Sequence, residues 1–394
     1  MNRVKQGMTM IGGDLVSRAV AWHQGGKLAM APVQSVNSST DLSLAYTPGV
    51  AEISRMIAAD ASRHSQLTWT GRLVAVISNG TAVLGLGDVG VKAVMPVLEG
   101  KAQLFQQLGG FDAIPLVIDE KDPDRLVDIV LALKDSFGAL NLEDIAAPMC
   151  FEIERRLVEA LPYPVIHDDQ HVTAVVVLAG MFNAAALRGT PIDTLKVVVA
   201  GAGAAGIAIA NLLYHVGVRD IRLLDSRGMV TATRGGSLTV EKANVAERTT
   251  FDSATVVDAF TGADLFIGVS GAQYDAALID GMALRPMVFA LSNPDPEFAY
   301  GDMIQRTDLV ATGRSDLPNQ INNVLGFPGI FSGLLDSSLR RVTTDMLVTI
   351  SQAIAVLLPE PSAERFIPHA LDSAVPQAIA TALAAHTEQE KDPR

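Results

Sequence analysis

The chain is short of cysteine, of aromatic residues and of positive charge, and each shortage excludes something. Cys150 is the only cysteine, which rules out an intrachain disulfide framework and a cysteine metal cage. Aromatics make up 5% of the sequence, while Gly and Ala abound, a balance suited to helices packed closely on sheets. Lys and Arg number 30 against 43 Asp and Glu, for a net charge of −13. A general nucleic-acid binder needs a basic surface for phosphates, so that class is excluded. An anionic small substrate would need local cations or a metal to offset the acidic field. Long apolar runs are also missing. The most apolar stretch, residues 172–187, contains Asn183 and falls short of the ~20 residues of a membrane span, so it suits a buried helix. The opening "MNRVKQGMTMIGGDLVSRAV" lacks the continuous apolar core of a secretory signal. The expectation is a soluble cytoplasmic protein that binds neither membrane nor nucleic acid.

What is present points to an enzyme. Nearly half the residues are hydrophobic and 19% are charged, which excludes a largely disordered chain. The length allows two domains with a helical extension. From Leu73, strand-like runs alternate with helical stretches: "LVAVI", Val91 to Leu108, "IPLVID", Asp124 to Lys134. After residue 165 the pattern restarts with "LKVVVA", a helix to Val216, "IRLLD", "ADLFIGV" and "MVFALS". Such alternation predicts parallel sheets flanked by helices, an α/β fold with domains at 1–165 and 166–394. Residues 334–385 read as helices broken at Pro359 and Pro368.

The fingerprint G-x-G-x-x-G occurs twice. "GAGAAG", residues Gly201, Ala202, Gly203, Ala204, Ala205 and Gly206, follows a strand and opens an Ala-rich helix, with Asp225 at the end of the next strand. That is the dinucleotide-binding arrangement. Gly201 allows the turn, Gly203 lets the backbone approach a pyrophosphate, and Gly206 permits close helix packing. The helix N-terminus then meets the phosphate charge. "GLGDVG" (Gly85, Gly87, Asp88, Gly90) is the weaker match, because Asp88 would put a carboxylate against a pyrophosphate. It is expected to face the substrate cleft.

Two adjacent acidic pairs, Glu143-Asp144 in "NLEDIAAP" and Asp168-Asp169 in "HDDQH", border apolar sequence about 25 residues apart. Several carboxylates converging on one point cannot all stay ionised without a cation. Mg²⁺ and Mn²⁺ take oxygen ligands of this kind. A zinc or iron site on His167 and His171 is the rival reading, although Pro164 weighs against both lying on one helix.

The motifs "LSLAYTPGVAE", "VISNGTAVLGLGDVG", "PVLEGKAQLF", "NLEDIAAP", "HDDQH", "GAGAAG", "LSNPDPE" and "TGRSDLPNQINNVLGFPGIF" occur in this order. Together they resemble the bacterial malic enzymes, in their compact form without a phosphotransacetylase-like domain. The resemblance implies an N-terminal malic-enzyme α/β domain, a Rossmann-type NAD(P)-binding domain with C-terminal helices, and at least a homodimer. It implies oxidative decarboxylation of (S)-malate to pyruvate and CO₂ with NAD(P)⁺ and Mg²⁺ or Mn²⁺. It further implies Glu143, Asp144 and Asp169 as metal ligands, Lys101 as base, Tyr46 as acid, and Asp168 beside the ligands. Asn293 and Asn323 would hold malate, Asn293 also the nicotinamide end. Lys101 would need its pKa lowered to act as a base. One residue departs from the family pattern: Val172 stands where "HDDQHGTA" has glycine.

A malolactic enzyme or an oxaloacetate decarboxylase would need nearly the same residues, and a non-catalytic nucleotide sensor would need fewer. For the cofactor, Asp225 suits the ribose hydroxyls of NAD⁺. Ser226 and Arg227 beside it suit a 2′-phosphate, and their similarity to "DS-basic-G" stretches tips the expectation to NADP⁺.

Overall fold

Runs of β-branched and apolar residues become strands buried on both faces, as parallel sheets covered by helices require. The structure, a computed structural model, describes residues 14–83, 86–251, 255–337 and 339–391. Strand β1 (Leu73–Ser78) is buried along its whole length. It pairs in parallel with β2 (Asp112–Val117) and β3 (Ala139–Leu142), and β4 (Val165–His167) pairs with β3. This first sheet therefore runs just past the boundary expected at residue 165.

The second sheet has the order β10-β9-β8-β5-β6-β7. Its strands are β5 (Lys196–Ala200), β6 (Asp220–Asp225), β7 (Gly228–Met229), β8 (Leu265–Gly268), β9 (Met287–Ala290) and β10 (Leu309–Thr312). All pair in parallel except β7, which turns back on β6. Strands β3, β7 and β10 are short and were not apparent in the sequence; β3 even carries a buried Asn141. The expected α/β class with a Rossmann-type sheet is what the chain adopts.

The helices that position the site are α1 (Val91–Leu104), α2 (Met149–Ala160), α3 (Thr173–Arg188), α4 (Ala204–His215), α5 (Phe327–Asp336), α6 (Thr344–Ala355) and α7 (Ala374–Lys391). Helix α3 is apolar on all sides and is the central buried helix, packed on α4 and α6. With the turn before it, it is long and apolar enough to cross a membrane, but two thirds of that stretch, 67%, is buried inside this fold. The expected helical run from residue 334 is interrupted: α5 ends at Asp336 and α6 starts at Thr344. Phe327 and Phe331 of α5 meet Phe105, which follows α1, edge-on at 4.8 and 5.2 Å. The C-terminal helices thus lock the two sheets together rather than extending the second alone.

Residues 14–69 behave differently. Helices Ser39–Ala45 and Gly49–Ala59 bury no residue. Leu15, Val20, Trp22, Met30, Val33 and Leu44 are all more than half exposed.

Candidate active site

Four carboxylates and a lysine converge at the ends of β3 and β4. Lys101, in the last turn of α1, is 7% exposed. Its ammonium donates to Glu143 Oε2 at 2.5 Å and lies 2.7 Å from Asp168 Oδ2. The Phe327 ring covers it at 4.6 Å. Asn141 Nδ2 donates to Glu143 Oε2 at 2.9 Å, and Asn323 Nδ2 donates to Asp168 Oδ2. Glu143 and Asp144 follow β3 directly; Asp144 adopts a left-handed backbone, φ 52°, which aspartate tolerates better than most residues. Its N–H donates to Asp169 Oδ2 at 3.0 Å.

The adjacent pair Asp168-Asp169 divides the work. The π-helical turn Asp168–Val172 directs Asp168 to Lys101 and Asn323, and Asp169 to Glu143 and Asp144. One oxygen from each of Glu143, Asp144 and Asp169 lies within 4.8 Å of the others. Burial raises the Glu143 carboxyl well above its ordinary range; Lys101 opposes this, while Asp168, Asp169 and Asp144 add to it. Burial raises Asp169 as well, with His167 opposing and Asp168 adding. A cluster so short of positive charge, offering only hard oxygen donors, fits Mg²⁺ or Mn²⁺. The histidine site does not form. His171 Nε2 is engaged with Glu154 Oε1 at 2.9 Å, and His167 Nδ1 is 4.0 Å from Asp169.

Lys101 departs from expectation. Burial alone would lower its pKa, but Asp168 and then Glu143 overrule it and raise the pKa. An ammonium between two anions holds its proton. It becomes a base only when one of those anions, such as Glu143, is engaged elsewhere.

Val172 causes no distortion. It is fully buried in right-handed helical geometry, and its Cγ1 occupies space that a Cβ on Gly326 would contest at 2.6 Å. A glycine on α5's approach thus accommodates the valine.

A cavity of about 410 Å³ opens on this cluster, lined by Lys101, Glu143, Asp168, Asp169, Asn293 and Asn323 among others. Tyr46 does not reach it. It lies between helices Ser39–Ala45 and Gly49–Ala59 and is 67% exposed. Nor does the second glycine loop face it. Asp88 pairs with Lys121 at 2.5 Å on the surface, none of Gly87, Asp88 and Gly90 lines the cavity, and Gly85 lies outside the described residues.

The first glycine loop sits at the carboxyl end of β5, where the strand order reverses between β6 and β8. Gly201 takes φ 117°, and a Cβ on Gly206 would lie 1.6 Å from Gly201 O, so neither tolerates a side chain. Gly201, Ala202, Gly203, Asp225 and Ser226 line a second cavity of about 560 Å³; Ala204 and Ala205 begin α4 beside it. Val269 lines both cavities, so the glycine-loop cavity and the carboxylate pocket are neighbours.

Two residues absent from the sequence reading hold Asp225 at this cavity. Arg234 donates to both Asp225 oxygens, at 2.9 and 3.0 Å, and Lys242 Nζ donates to Oδ2 at 2.9 Å. Burial would raise the Asp225 carboxyl, but Arg234 and Lys242 hold it well below the usual range. Arg227 is exposed and contributes only its backbone N–H, at 2.9 Å. A third overlooked residue, Glu154 on α2, is buried behind the Asp168-Asp169 turn. It accepts from His167 N–H at 2.7 Å and Gln170 Nε2 at 3.0 Å, and so fixes both flanks of the aspartates. Cys150 is packed as an apolar residue, its thiol pushed up by burial.

The profile of the malic enzyme NAD-binding domain matches residues 171–387, and that of the malic enzyme N-terminal domain matches residues 25–123. The chain is 46% identical over 365 residues to the bifunctional malic/malolactic enzyme of Bacillus subtilis, spanning 91% of this chain and 89% of that protein. It is 46% identical over 342 residues to the NADP-dependent malic enzyme of Halomonas elongata, spanning 85% and 80%. The crystal structure of the NAD-dependent malic enzyme of Thermotoga maritima superposes with a TM-score of 0.88 at 40% identity, covering 93% of this chain and 98% of that one. The chain belongs to the malic enzyme family.

Proposed function

We propose that the protein oxidises (S)-malate and decarboxylates it to pyruvate and CO₂, using NADP⁺ and Mg²⁺ or Mn²⁺. The observation that carries this reading is the carboxylate cluster beside Lys101, in a pocket that shares Val269 with the glycine-loop cavity. Glu143, Asp144 and Asp169 would hold the ion. Bound there, it supplies Lewis acidity toward the substrate's oxygen atoms. A bound nicotinamide would supply the hydride acceptor.

The chain's own residues do the rest. Lys101 takes the C2 hydroxyl proton once an anionic partner releases it. Asp168 and Asn323 orient the ammonium, and Asn293 faces the same pocket from the loop after β9. Loss of CO₂ leaves a three-carbon enol that needs a proton at C3. Tyr46 is a suitable acid, but 67% exposure puts it outside its own chain's pocket. A homodimer in which the arm of one chain covers the other resolves this. The exposed apolar side chains of residues 14–69 invite a covering surface, and a docked arm would bring Tyr46 to the neighbouring pocket.

For the cofactor, Arg234 and Lys242 together outweigh Asp225, leaving an uncompensated cation at the cavity edge beside Ser226. A 2′-phosphate matches it, which supports NADP⁺ over NAD⁺.

The test is malate with each nicotinamide, with and without Mn²⁺, followed by absorbance of the reduced cofactor. Metal-dependent reduction of NADP⁺ and formation of pyruvate are expected; undiminished turnover in excess chelator excludes the metal role. The B. subtilis relative's name favours a second reading. Lactate formed from malate without net cofactor reduction would establish it.

A further inference from the structure

One cation in the substrate pocket has no role in the chemistry above. Lys27 lies in the N-terminal arm, yet its side chain lines the carboxylate pocket with Lys101. Its ammonium donates to Pro96 O, on α1, at 2.7 Å. A Cβ on Gly100, the residue before Lys101, would come within 3.0 Å of Lys27 Nζ. Gly100 therefore leaves the room that the ammonium occupies.

The charge inventory of the pocket gives this cation a purpose. Lys101 is already committed to Glu143 and Asp168. Those two, with Asp144 and Asp169, outnumber what a divalent ion and Lys101 can neutralise. A dianionic substrate entering such a pocket meets a repulsive field at whichever end is not held by the ion. Lys27 is the one other cation among the lining residues, and it forms no ion pair among the described residues. Burial lowers its pKa from the ordinary lysine value, and only Glu99 partly restores it. A partly desolvated ammonium whose hydrogen bond is to a neutral carbonyl gains by meeting a carboxylate.

We propose that Lys27 binds the substrate carboxylate remote from the metal-binding end, and so selects dicarboxylic over monocarboxylic 2-hydroxy acids. The proposal rests on the malate reading and assigns the substrate's second charge a partner.

Steady-state kinetics of the full-length enzyme with Mn²⁺ test it, using Lys27→Met, Lys27→Arg and Gly100→Ala. Lys27→Met is expected to raise the KM for malate roughly 10- to 100-fold, the scale of one charge-assisted hydrogen bond. The KM for NADP⁺ and inhibition by oxalate, whose two carbons offer no remote carboxylate, should hold within about twofold of wild type. Lys27→Arg should recover part of the malate affinity. Gly100→Ala, which favours the helix but crowds Lys27, should weaken malate by a smaller factor. An unchanged malate KM in Lys27→Met overturns the assignment. So does an equal loss of malate, oxalate and cofactor binding, which marks a general disturbance of the arm. A wild-type enzyme inert toward malate overturns the malate reading itself, and the role of Lys27 with it.

Discussion

Lys101 and Tyr46, the two groups expected to move protons, occupy opposite environments. Lys101 is 7% exposed and held by Glu143, Asp168 and the face of Phe327. Tyr46 is 67% exposed, between two helices that bury nothing. The first environment is assembled within one chain, from helix α1, the turns after β3 and β4, and the start of α5. The second is complete only if another surface covers it. On the proposed reading, one chain would supply the carboxylate and lysine half of the site, and Tyr46 would join it only through assembly.

The largest effects should come from breaking the buried half. Lys101→Ala should lower malate-dependent NADP⁺ reduction by about 10²- to 10⁴-fold, the usual contribution of a positioned acid–base group. It also leaves Glu143 and Asp168 facing each other without their shared cation. Asp169→Ala should remove turnover and abolish the thermal stabilisation by Mn²⁺, which for wild type is about 2.7 kcal/mol at a hundredfold excess over Kd. Stabilisation by NADP⁺ should survive. A Mn²⁺ shift that persists in Asp169→Ala would remove this residue from the ligand set.

A second experiment sharpens the comparison itself. Tyr46→Phe should spare hydride removal more than it spares exchange of pyruvate C3 protons with solvent, measured by deuterium incorporation. Co-expressed with Lys101→Ala, it should form mixed dimers with one intact site of two. If Tyr46 acts across the interface, random pairing restores about a quarter of wild-type activity. If it acts within its own chain, both sites stay dead and the mixture shows no recovery. Light scattering should find at least a dimer.

How much was legible in the sequence follows from where each partner lies along the chain. Glu143-Asp144 and Asp168-Asp169 are local doublets against apolar strands, so both pairs stood out. The glycine loop also stood out, because its spacing is fixed by one turn between β5 and α4. The counter-ions did not. Arg234 and Lys242 reach Asp225 from 9 and 17 residues on, through the reversal at β7, and nothing local marks them. Glu154 reads as one more acid on the surface of an amphipathic helix, yet it is 8% exposed. Lys27 meets Pro96, near Lys101, across 69 residues, and nothing local marks it. Conversely "GLGDVG" matched a pattern without the context, and Asp88 turned to Lys121 at the surface.

The smallest effect belongs to the residue that the sequence made most conspicuous. Arg227 stands directly after Asp225-Ser226, where a guanidinium could meet a 2′-phosphate, but its side chain is exposed and only its N–H touches Asp225. Lys242 reaches the same carboxylate from the cavity side. Replacing Lys242 with Ala should raise the KM for NADP⁺ by roughly 10- to 100-fold and that for NAD⁺ far less, as expected if its ammonium also meets the 2′-phosphate that NAD⁺ lacks. Replacing Arg227 with Ala should change either value by less than about twofold, the loss of one solvent-screened charge. The contrast should also hold across the neutral range. A carboxylate held below its ordinary pKa contributes its clamp at any pH above that ordinary value, and loses it only as the pH falls toward the depressed one. The two variants should therefore stay separated from about pH 6 to pH 9. If Arg227→Ala instead weakens NADP⁺ selectively while Lys242→Ala does not, the phosphate sits on the solvent side of Asp225, and the clamp serves only to hold the loop.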